Sequence, residues 1–302
     1  MRRPSAWLVR AICGILVLGA TTTAGAEPVS VVTFNLFHGG PLSGLTGEAG
    51  GLDDRLAMVV AELRRLRPDI IALQEASRSS RRGDVALRLA RELGYHVAHA
   101  STTERVFGRS ILSRLAVALI DFSEGPAVLS RWPIVARHVV ELARCGRPLD
   151  TRVLLRVDVD APGGRLRVYS THTSGEACQL RHIERAARDG RTWRPSILMG
   201  DFNASERMPE LASMRRHAGF LDAFRTANPN EPGFTDLQRP GATTPTVSER
   251  YDYVFVVPGA RTAGSVLGSR VVLNAPRRYA DGRVLWPSDH YGVLAVLDLT
   301  AR

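Results

Sequence analysis

Six short runs in this sequence set a carboxylate, an amide or an imidazole at the end of a stretch that reads as β-strand. They are Thr33-Phe34-Asn35-Leu36, Leu73-Gln74-Glu75, Ser170-Thr171-His172, Gly200-Asp201-Phe202-Asn203, Tyr251-Asp252-Tyr253 and Ser288-Asp289-His290. These are the residue types that hydrolysis of a phosphoester needs. A phosphodiester is an anion that repels hydroxide and leaves poorly. A site for it must therefore hold a hard cation, aim a water in line and neutralise charge on the non-bridging oxygens. Mg²⁺, or Mn²⁺ in its place, takes oxygen ligands and keeps several waters, so one or two carboxylates suffice. Glu75 is the best candidate ligand, with Asn35 and Asp289 as its companions. A histidine is oriented and kept basic by a neighbouring carboxylate, and Asp252 with His290 has the types for such a pair.

Each run alone has a bland reading. Asn35 at a strand end is a common turn former, and Gln74-Glu75 could be an exposed strand end. Asp201 and Asn203 could cap a helix that starts near Ser205. His172 could be a satisfied core histidine, and Asp252 could bond to backbone. The weight lies in their order and spacing along one chain.

In that order and spacing the set resembles the endonuclease/exonuclease/phosphatase superfamily, which includes pancreatic deoxyribonuclease, abasic-site endonucleases, bacterial sphingomyelinases and inositol polyphosphate phosphatases. The Asn-Leu, Gln-Glu, Thr-His, Gly-Asp-Phe-Asn, Tyr-Asp-Tyr and Ser-Asp-His signatures all match, as does Ala127-Val128-Leu129-Ser130-Arg131-Trp132-Pro133-Ile134. The resemblance runs from Val29 to Leu299. It implies that Asp201 positions or deprotonates the attacking water, that Asn203 and His172 hold the phosphate, and that Asp252 orients His290. Whether His290 or Asp201 takes the proton stays open. Glu124 resembles the deoxyribonuclease glutamate that pairs with the Thr-His histidine, which would give His172 a carboxylate of its own. Arg152 occupies a family position near the site and would bond Glu124 or a phosphate. A solvated turn glutamate and an exposed edge arginine are the alternatives for these two. His38, four residues past Phe34, is a further residue that could face the cleft.

The elements that must position these residues can be read from periodicity. Ser30 to Leu36 is a short apolar, β-branched run, a buried strand. Leu52, Leu56, Val59, Val60 and Leu63 fall at helical spacing between Leu52 and Leu66, with Asp53 and Asp54 in the first turn where they favour the helix dipole. Asp69 to Gln74 reads as strand, and Asp84 to Leu93 as a helix stopped by Gly94. Closely spaced strands follow at Leu115 to Asp121, Ala127 to Arg131, Thr151 to Asp158 and Arg165 to His172. A helix over Glu176 to Arg188 leads to strands at Ser196 to Gly200, Tyr251 to Val257, Ser269 to Leu273 and Tyr291 to Leu299. Many strands with interspersed helices and no strict βαβα repetition predict an α/β fold of two packed mixed sheets with outer helices. That is a four-layered α/β/β/α sandwich, not a doubly wound sheet.

Arg2, Arg3 and Arg10, the apolar run Ala11 to Ala20 and the small-residue stretch Ala24-Gly25-Ala26 have the tripartite layout of a secretory signal peptide over residues 1–26. The domain would then occupy 27–302 and act outside the cell or in the periplasm. The chain carries a formal charge of +10, and every one of its 40 basic residues is Arg. That balance suits a polyanionic substrate without separating nucleic acid from phospholipid. Cys145 and Cys178 flank two expected strands joined by the turn Asp160-Ala161-Pro162-Gly163-Gly164. Folding the hairpin about that turn sets the two cysteines nearly opposite, so in an oxidising compartment a disulfide is expected. Two buried free thiols are the alternative, since Pro148 interrupts the first strand.

The leading expectation is a divalent-metal-dependent phosphodiesterase acting on nucleic acid. A phosphomonoesterase or phospholipid phosphodiesterase shares the chemistry, and a non-catalytic binding protein is the reading from another class. No ligand or base is missing from the motifs, which counts against the last. The segment Asn274 to Ser288 leads into Asp289 and His290 and carries Arg277, Arg278, Tyr279, Arg283 and Trp286. Arginines grip phosphate oxygens and aromatic rings stack on bases, so this mixture suits a nucleic-acid strand better than a bilayer.

Overall fold

The computed structural model describes residues 27–37, 51–80, 82–103 and 121–300. The leader 1–26, His38 and residues 115–120 of one expected strand lie outside the described residues.

Two six-stranded sheets pack face to face. The first is made of β1 (Val29–Asn35), β2 (Ile70–Gln74), β5 (His96–His99), β6 (Ala127–Ser130), β13 (Ser265–Val272) and β16 (Gly292–Asp298), in the order β13-β16-β1-β2-β6-β5. The second is made of β7 (Ile134–Glu141), β8 (Val153–Ala161), β9 (Gly164–His172), β10 (Ser196–Asp201), β11 (Leu221–Asp222) and β12 (Asp252–Val257), in the order β11-β12-β10-β9-β8-β7. Between β2 and β5 a small hairpin pairs β3 (Arg78–Ser79) with β4 (Gly83–Asp84). Each large sheet has one parallel pair at its centre, β1 with β2 and β9 with β10, among antiparallel neighbours. Parallel pairing needs a crossover. Helix α1 (Leu52–Leu66) supplies it for the first pair and α3 (Ala177–Asp189) for the second.

Strand alternation sorts the side chains into layers. Val31, Ile70, Ala72 and Val128 meet Leu155, Val157, Ile197, Met199 and Val254 between the sheets. The alternate residues Val32, Phe34, Ile71 and Leu73 face outward and are covered by Leu56, Val59, Val60 and Leu63 of α1 and Leu89 of α2 (Val85–Leu93). On the far side Leu154, Tyr169, Leu198, Tyr253 and Phe255 are covered by Leu180 and Ile183 of α3 and by Leu211 and Met214 of α4 (Pro209–Arg216). The result is helix, sheet, sheet, helix. Among the described residues no helix is long and apolar enough to cross a membrane.

Elements absent from the periodicity are the marginal ones. β7 is an edge strand whose residues are half-buried or exposed, so it shows no apolar run. α4 and the five-residue α5 (Ala223–Ala227) are short. The segment before Ser288 is not irregular throughout: Arg277–Arg278 (β14) pairs with Val284–Leu285 (β15) as a small hairpin.

Cys145 and Cys178 are disulfide-bonded, with Cα atoms 6.0 Å apart. The β8–β9 hairpin pairs Leu154 with Thr171 through Ala161 with Gly164. That register carries the two cysteines toward one another beyond its open end, where the loop after Leu142 meets the start of α3.

Candidate active site

Strand register does most of the assembly. Asp201 ends β10, and its register partners are His172 on the parallel neighbour and Asp252 on the antiparallel one. Three side chains read separately from the sequence are thus laid side by side at one end of one sheet. Across the sandwich, Asn35 pairs with Gln74 at the same end of the first sheet, and Glu75 follows. Gly200 is required beside Asp201, because a Cβ there would sit 2.1 Å from the Thr171 carbonyl oxygen.

The convergence point is Asp201 Oδ2. Asn35 Nδ2 donates to it at 3.0 Å, His172 Nε2 lies 3.5 Å away and His290 Nε2 3.7 Å away. Asp201 Oδ1 accepts the Asn203 backbone N–H at 2.8 Å. Asn203 Nδ2 in turn lies 3.0 Å from His172 Nε2 and donates to the Thr173 carbonyl at 2.9 Å. His290 Nδ1 is 2.9 Å from Asp252 Oδ2, the geometry of an orienting pair. Asp201 and Asp252 are fully buried, His290 and His172 nearly so. Glu75 and Asn203 hold left-handed backbone angles, φ 53° and 46°. For a residue with a Cβ this costs about 1–2 kcal/mol, and such outliers gather where a side chain must be aimed.

Electrostatics follow from burial. Desolvation raises the Asp201 carboxyl above its ordinary range and Asp252 adds to the rise, while His290 and the donors on Asn203 and Asn35 pull it back. Burial alone would lower the His290 imidazole, but the charges of Asp252 and Asp201 and the Asp252 hydrogen bond lift it well above the usual value. Burial, with the Glu75 charge, pushes Asp289 up to about 6.

A cation fits this donor set. Glu75 and Asp289 form one pair of interacting carboxylates, with the Arg55 guanidinium near both, and Asp201 and Asp252 form another, in which Asp252 Oδ1 is buried without a hydrogen-bond partner. Buried negative charge in excess of its partners calls for a positive ion, and an all-oxygen set of carboxylates suits Mg²⁺ or Mn²⁺. Glu75 and Asp289 are the residues the motif resemblance points to for it, and each acts on the other's charge. Asp201, Asp252 and His290 also lie close enough together to hold an ion, with His290 bonded to Asp252 through Nδ1. Asn35 Oδ1 accepts the Phe37 N–H at 3.0 Å, while its Nδ2 spans Glu75 at 3.3 Å and Asp201 at 3.0 Å. In this orientation it bridges the cation side to the phosphate side.

Other expected residues are placed differently. His172 takes Asn203 and Asp201 as partners. Glu124 is anchored through its backbone to Thr102 and Thr103, so its pairing with His172 stays an expectation. Arg152 Nε bonds Ser174 Oγ at 2.9 Å and Asp150 at 3.3 Å instead of Glu124. Arg277 and Arg278 are exposed, the first 3.6 Å from Asp54, the second donating to the Thr243 carbonyl. Tyr279 is half-buried with the Arg283 guanidinium over its ring. Trp286 cannot stack on a base: it is 2 % exposed, donates to the Ala242 carbonyl at 2.7 Å and stacks on Tyr291. It is a wedge under the hairpin, as an aromatic in a loop becomes when a gap lies beneath it.

Two contributors lie outside every motif. Arg55, on the buried face of α1, donates to the carbonyls of Leu36 at 2.9 Å and Pro287 at 3.5 Å, tying together the segments that carry Asn35 and Asp289. Asp236 Oδ1 lies 3.2 Å from His290 Nε2. An Arg at a core position of an amphipathic helix was the one available signal.

A two-sheet sandwich with an Asp-His pair and a buried aspartate at their focus is the arrangement of a phosphoester hydrolase of the superfamily that the motifs resemble. The endonuclease/exonuclease/phosphatase family model matches residues 32–290, and the chain belongs to that family. Among solved structures it is similar to an endonuclease/exonuclease/phosphatase from Beutenbergia cavernae, with 28% identity, 90% of this chain and 72% of that one covered, and a TM-score of 0.65. D. rerio TDP2 complexed with a single-strand DNA product aligns at 19% identity over 89% of this chain and 98% of that one, TM-score 0.63. A mannosyl-6-phosphatase from Bacteroides thetaiotaomicron aligns at 14% identity over 89% and 99%, TM-score 0.66. The last two show a shared fold. Comparison with curated proteins gave no match.

Proposed function

We propose that this chain is an exported phosphodiesterase that requires Mg²⁺ or Mn²⁺ and acts on nucleic acid. The observation that carries the hydrolytic reading is the meeting of Asn35, His172 and His290 at Asp201 Oδ2, with a cation site beside it. In this reading Asp201 orients and deprotonates the attacking water. Asp252 fixes the His290 ring so that Nε2 faces the phosphoryl group, and Asn203 with His172 donates to its non-bridging oxygens. A cation held by Glu75 and Asp289 would draw charge from the phosphoryl and leaving oxygens. Export is supported by the tripartite leader and by a disulfide, which persists in an oxidising compartment. Nucleic acid is supported by the positive balance and by exposed Arg277 and Arg278 beside the segment that carries Asp289.

The test is to incubate the mature protein with plasmid DNA, RNA, sphingomyelin and bis(p-nitrophenyl) phosphate in the presence of Mg²⁺, Mn²⁺ or chelator. Cation-dependent cleavage of DNA or RNA is expected. Faster turnover of sphingomyelin would replace the nuclease reading with the phospholipid one, and no turnover of any phosphoester would remove the catalytic reading.

A further inference from the structure

Asp236 sits at the open nitrogen of His290. Asp252 occupies Nδ1 of His290, so the ring's remaining nitrogen is the one that can face substrate, and there Asp236 Oδ1 stands at 3.2 Å. The two carboxylates on His290 differ in exposure: the Asp252 side chain is 0 % exposed, that of Asp236 17 %. Asp252 is the inner support and Asp236 belongs to the open side.

The position of Asp236 is set by its backbone. It pairs with Glu249 as an isolated antiparallel bridge, exchanging N–H to carbonyl bonds of 3.0 and 2.9 Å. The preceding Thr235 accepts the backbone N–H groups of Tyr251 and Asp252 on its hydroxyl, and its carbonyl accepts the Tyr291 N–H. The loop is thereby stitched to the start of β12, which carries Asp252, and to the segment just before β16, which carries His290. Among the described residues, the charges acting on Asp236 are those of His290, Asp252 and Glu249, with no arginine among them. Its neighbours Phe234 and Leu237 are apolar and 40 % and 52 % exposed.

We propose that Asp236 is a specificity-determining residue that selects monoanionic phosphodiesters against dianionic phosphomonoesters. The inference rests on the phosphoesterase reading of this site and names its substrate class. A monoester near neutral pH carries a second negative charge. A carboxylate fixed a few ångströms from the phosphoryl oxygens, partly screened from water, opposes that charge by several times thermal energy. A diester replaces the charged oxygen with an ester oxygen and its carbon substituent, which the apolar flank of Phe234 and Leu237 can meet without desolvating a charge.

The test uses Asp236→Asn, which keeps the shape, and Asp236→Ala, which does not. At about pH 8 with saturating Mg²⁺, kcat/KM is measured for p-nitrophenyl phosphate and for bis(p-nitrophenyl) phosphate. Binding of inorganic phosphate and of dimethyl phosphate is measured by calorimetry. The individual rates are free to fall, because Asp236 touches His290. The readout is the ratio, which a merely supporting role would leave alone. Removing the charge is expected to raise the monoester-to-diester ratio about tenfold or more in both variants, and to tighten inorganic phosphate relative to dimethyl phosphate by a similar factor. An unchanged ratio with both rates lowered together would overturn the proposal and leave Asp236 as a support for His290. An equal rise in the Mg²⁺ requirement for both substrates, with the ratio unchanged, would overturn it in favour of a cation ligand. If the wild type turned over neither ester, the hydrolase reading would fail while the two binding measurements still decided the selectivity.

Discussion

The two halves of the site are built to different standards. On the second sheet, His172, Asp201 and Asp252 are consecutive rungs of one ladder, and each has a polar partner within the group. On the first sheet only Asn35 lies on a strand. Glu75 follows a strand end in a left-handed conformation, and Asp289 stands in the segment between a hairpin and β16, raised by burial and by the charge of Glu75. On the Asp201 side each of these side chains is bonded within the group, with Asp252 Oδ1 the buried atom left over. On the other side Glu75 and Asp289 act on one another as like charges, with the buried Arg55 guanidinium close enough to act on both. In the proposed reading, protons move on the better-bonded side and a cation joins the carboxylates of the other.

This contrast predicts two large losses of different character. His290→Ala removes the Asp252-oriented imidazole from the finished half, so kcat should fall by roughly three orders of magnitude and no excess of Mg²⁺ should recover it. Glu75→Gln should be about as severe at ordinary Mg²⁺, but millimolar excess of Mg²⁺ or Mn²⁺ should recover part of the rate. Steady-state kinetics across a cation titration separates the two. Recovery of His290→Ala by metal, or none for Glu75→Gln, would erase the distinction between the halves.

The legibility of the site follows the same division. Asp201, His172 and Asn35 end short apolar or β-branched runs and Asp252 begins one, so their types and their elements can be read together. Asp236 could not be found that way. It lies among Pro232, Gly233, Pro240 and Gly241 in a segment without periodicity, and it reaches His290 only because Gln238 N–H bonds the Asp289 carbonyl and Tyr291 N–H bonds the Thr235 carbonyl. Those are pairings between distant loops, which no local pattern encodes. Trp286 shows the converse error: an aromatic next to arginines reads as a binding residue, while its burial depends on the 239–246 segment folding over it. Arg55 was hidden by its company, a charged residue one position before Leu56 on a helix otherwise read for its apolar face.

The cation half should also be the pH-sensitive one. Asp289 carries a pKa of about 6 in the folded protein against 3.8 for the free group, so below about pH 6 a proton competes with the ion. The half-saturating Mg²⁺ concentration should rise as pH falls through 6 and level off above it. The sign for stability is opposite. A carboxyl that binds its proton more tightly when folded favours the fold below 3.8, and that contribution is lost as pH rises toward 6. In chelator this group should therefore lower the melting temperature between those values, and Mg²⁺ should raise it more at about pH 7 than at about pH 5. Equal Mg²⁺ shifts at the two pH values would show that the acidic cluster is not the cation site.

The disulfide tests the finished half from outside. It closes a separation of 33 residues and fastens the loop before β8 to the start of α3, away from the focus at Asp201. On the chain-entropy account, replacing both cysteines by Ser should cost about 3–4 kcal/mol. That corresponds to a melting temperature lower by on the order of 10 °C. Below the new transition kcat should stay near the original value, because the ladder of β9, β10 and β12 does not depend on the bond. Intact mass with and without reduction establishes the linkage, and two freely alkylated thiols in the unreduced protein would remove it.

The smallest effect is expected at the rim, where neither half grips the substrate. Arg277 lies 3.6 Å from Asp54, with both side chains well exposed, and an ion pair of that kind is worth little in water. Its guanidinium can leave Asp54 for a phosphate at small cost. Arg278 already spends a donor on the Thr243 carbonyl, which helps hold the hairpin against the neighbouring loop, so only part of its guanidinium remains for substrate. Arg277→Ala with Arg278→Ala should therefore raise KM for DNA or RNA several-fold and leave kcat nearly unchanged, since the reacting atoms are elsewhere. Removing one arginine–phosphate ion pair should flatten the dependence of log KM on log salt by about one unit, so the double variant should flatten it by about one to two. Arg277→Ala alone should account for most of the change if Arg278 is mainly structural. The effect should be confined to polyanionic substrates: bis(p-nitrophenyl) phosphate is too small to reach the hairpin and should be cleaved as before. A double variant with unaltered salt dependence would mean that nucleic acid, if bound, enters along another wall of the cleft. A double variant equally impaired on the small diester would mean that the hairpin acts by holding Asp289, tying the rim to the cation half after all.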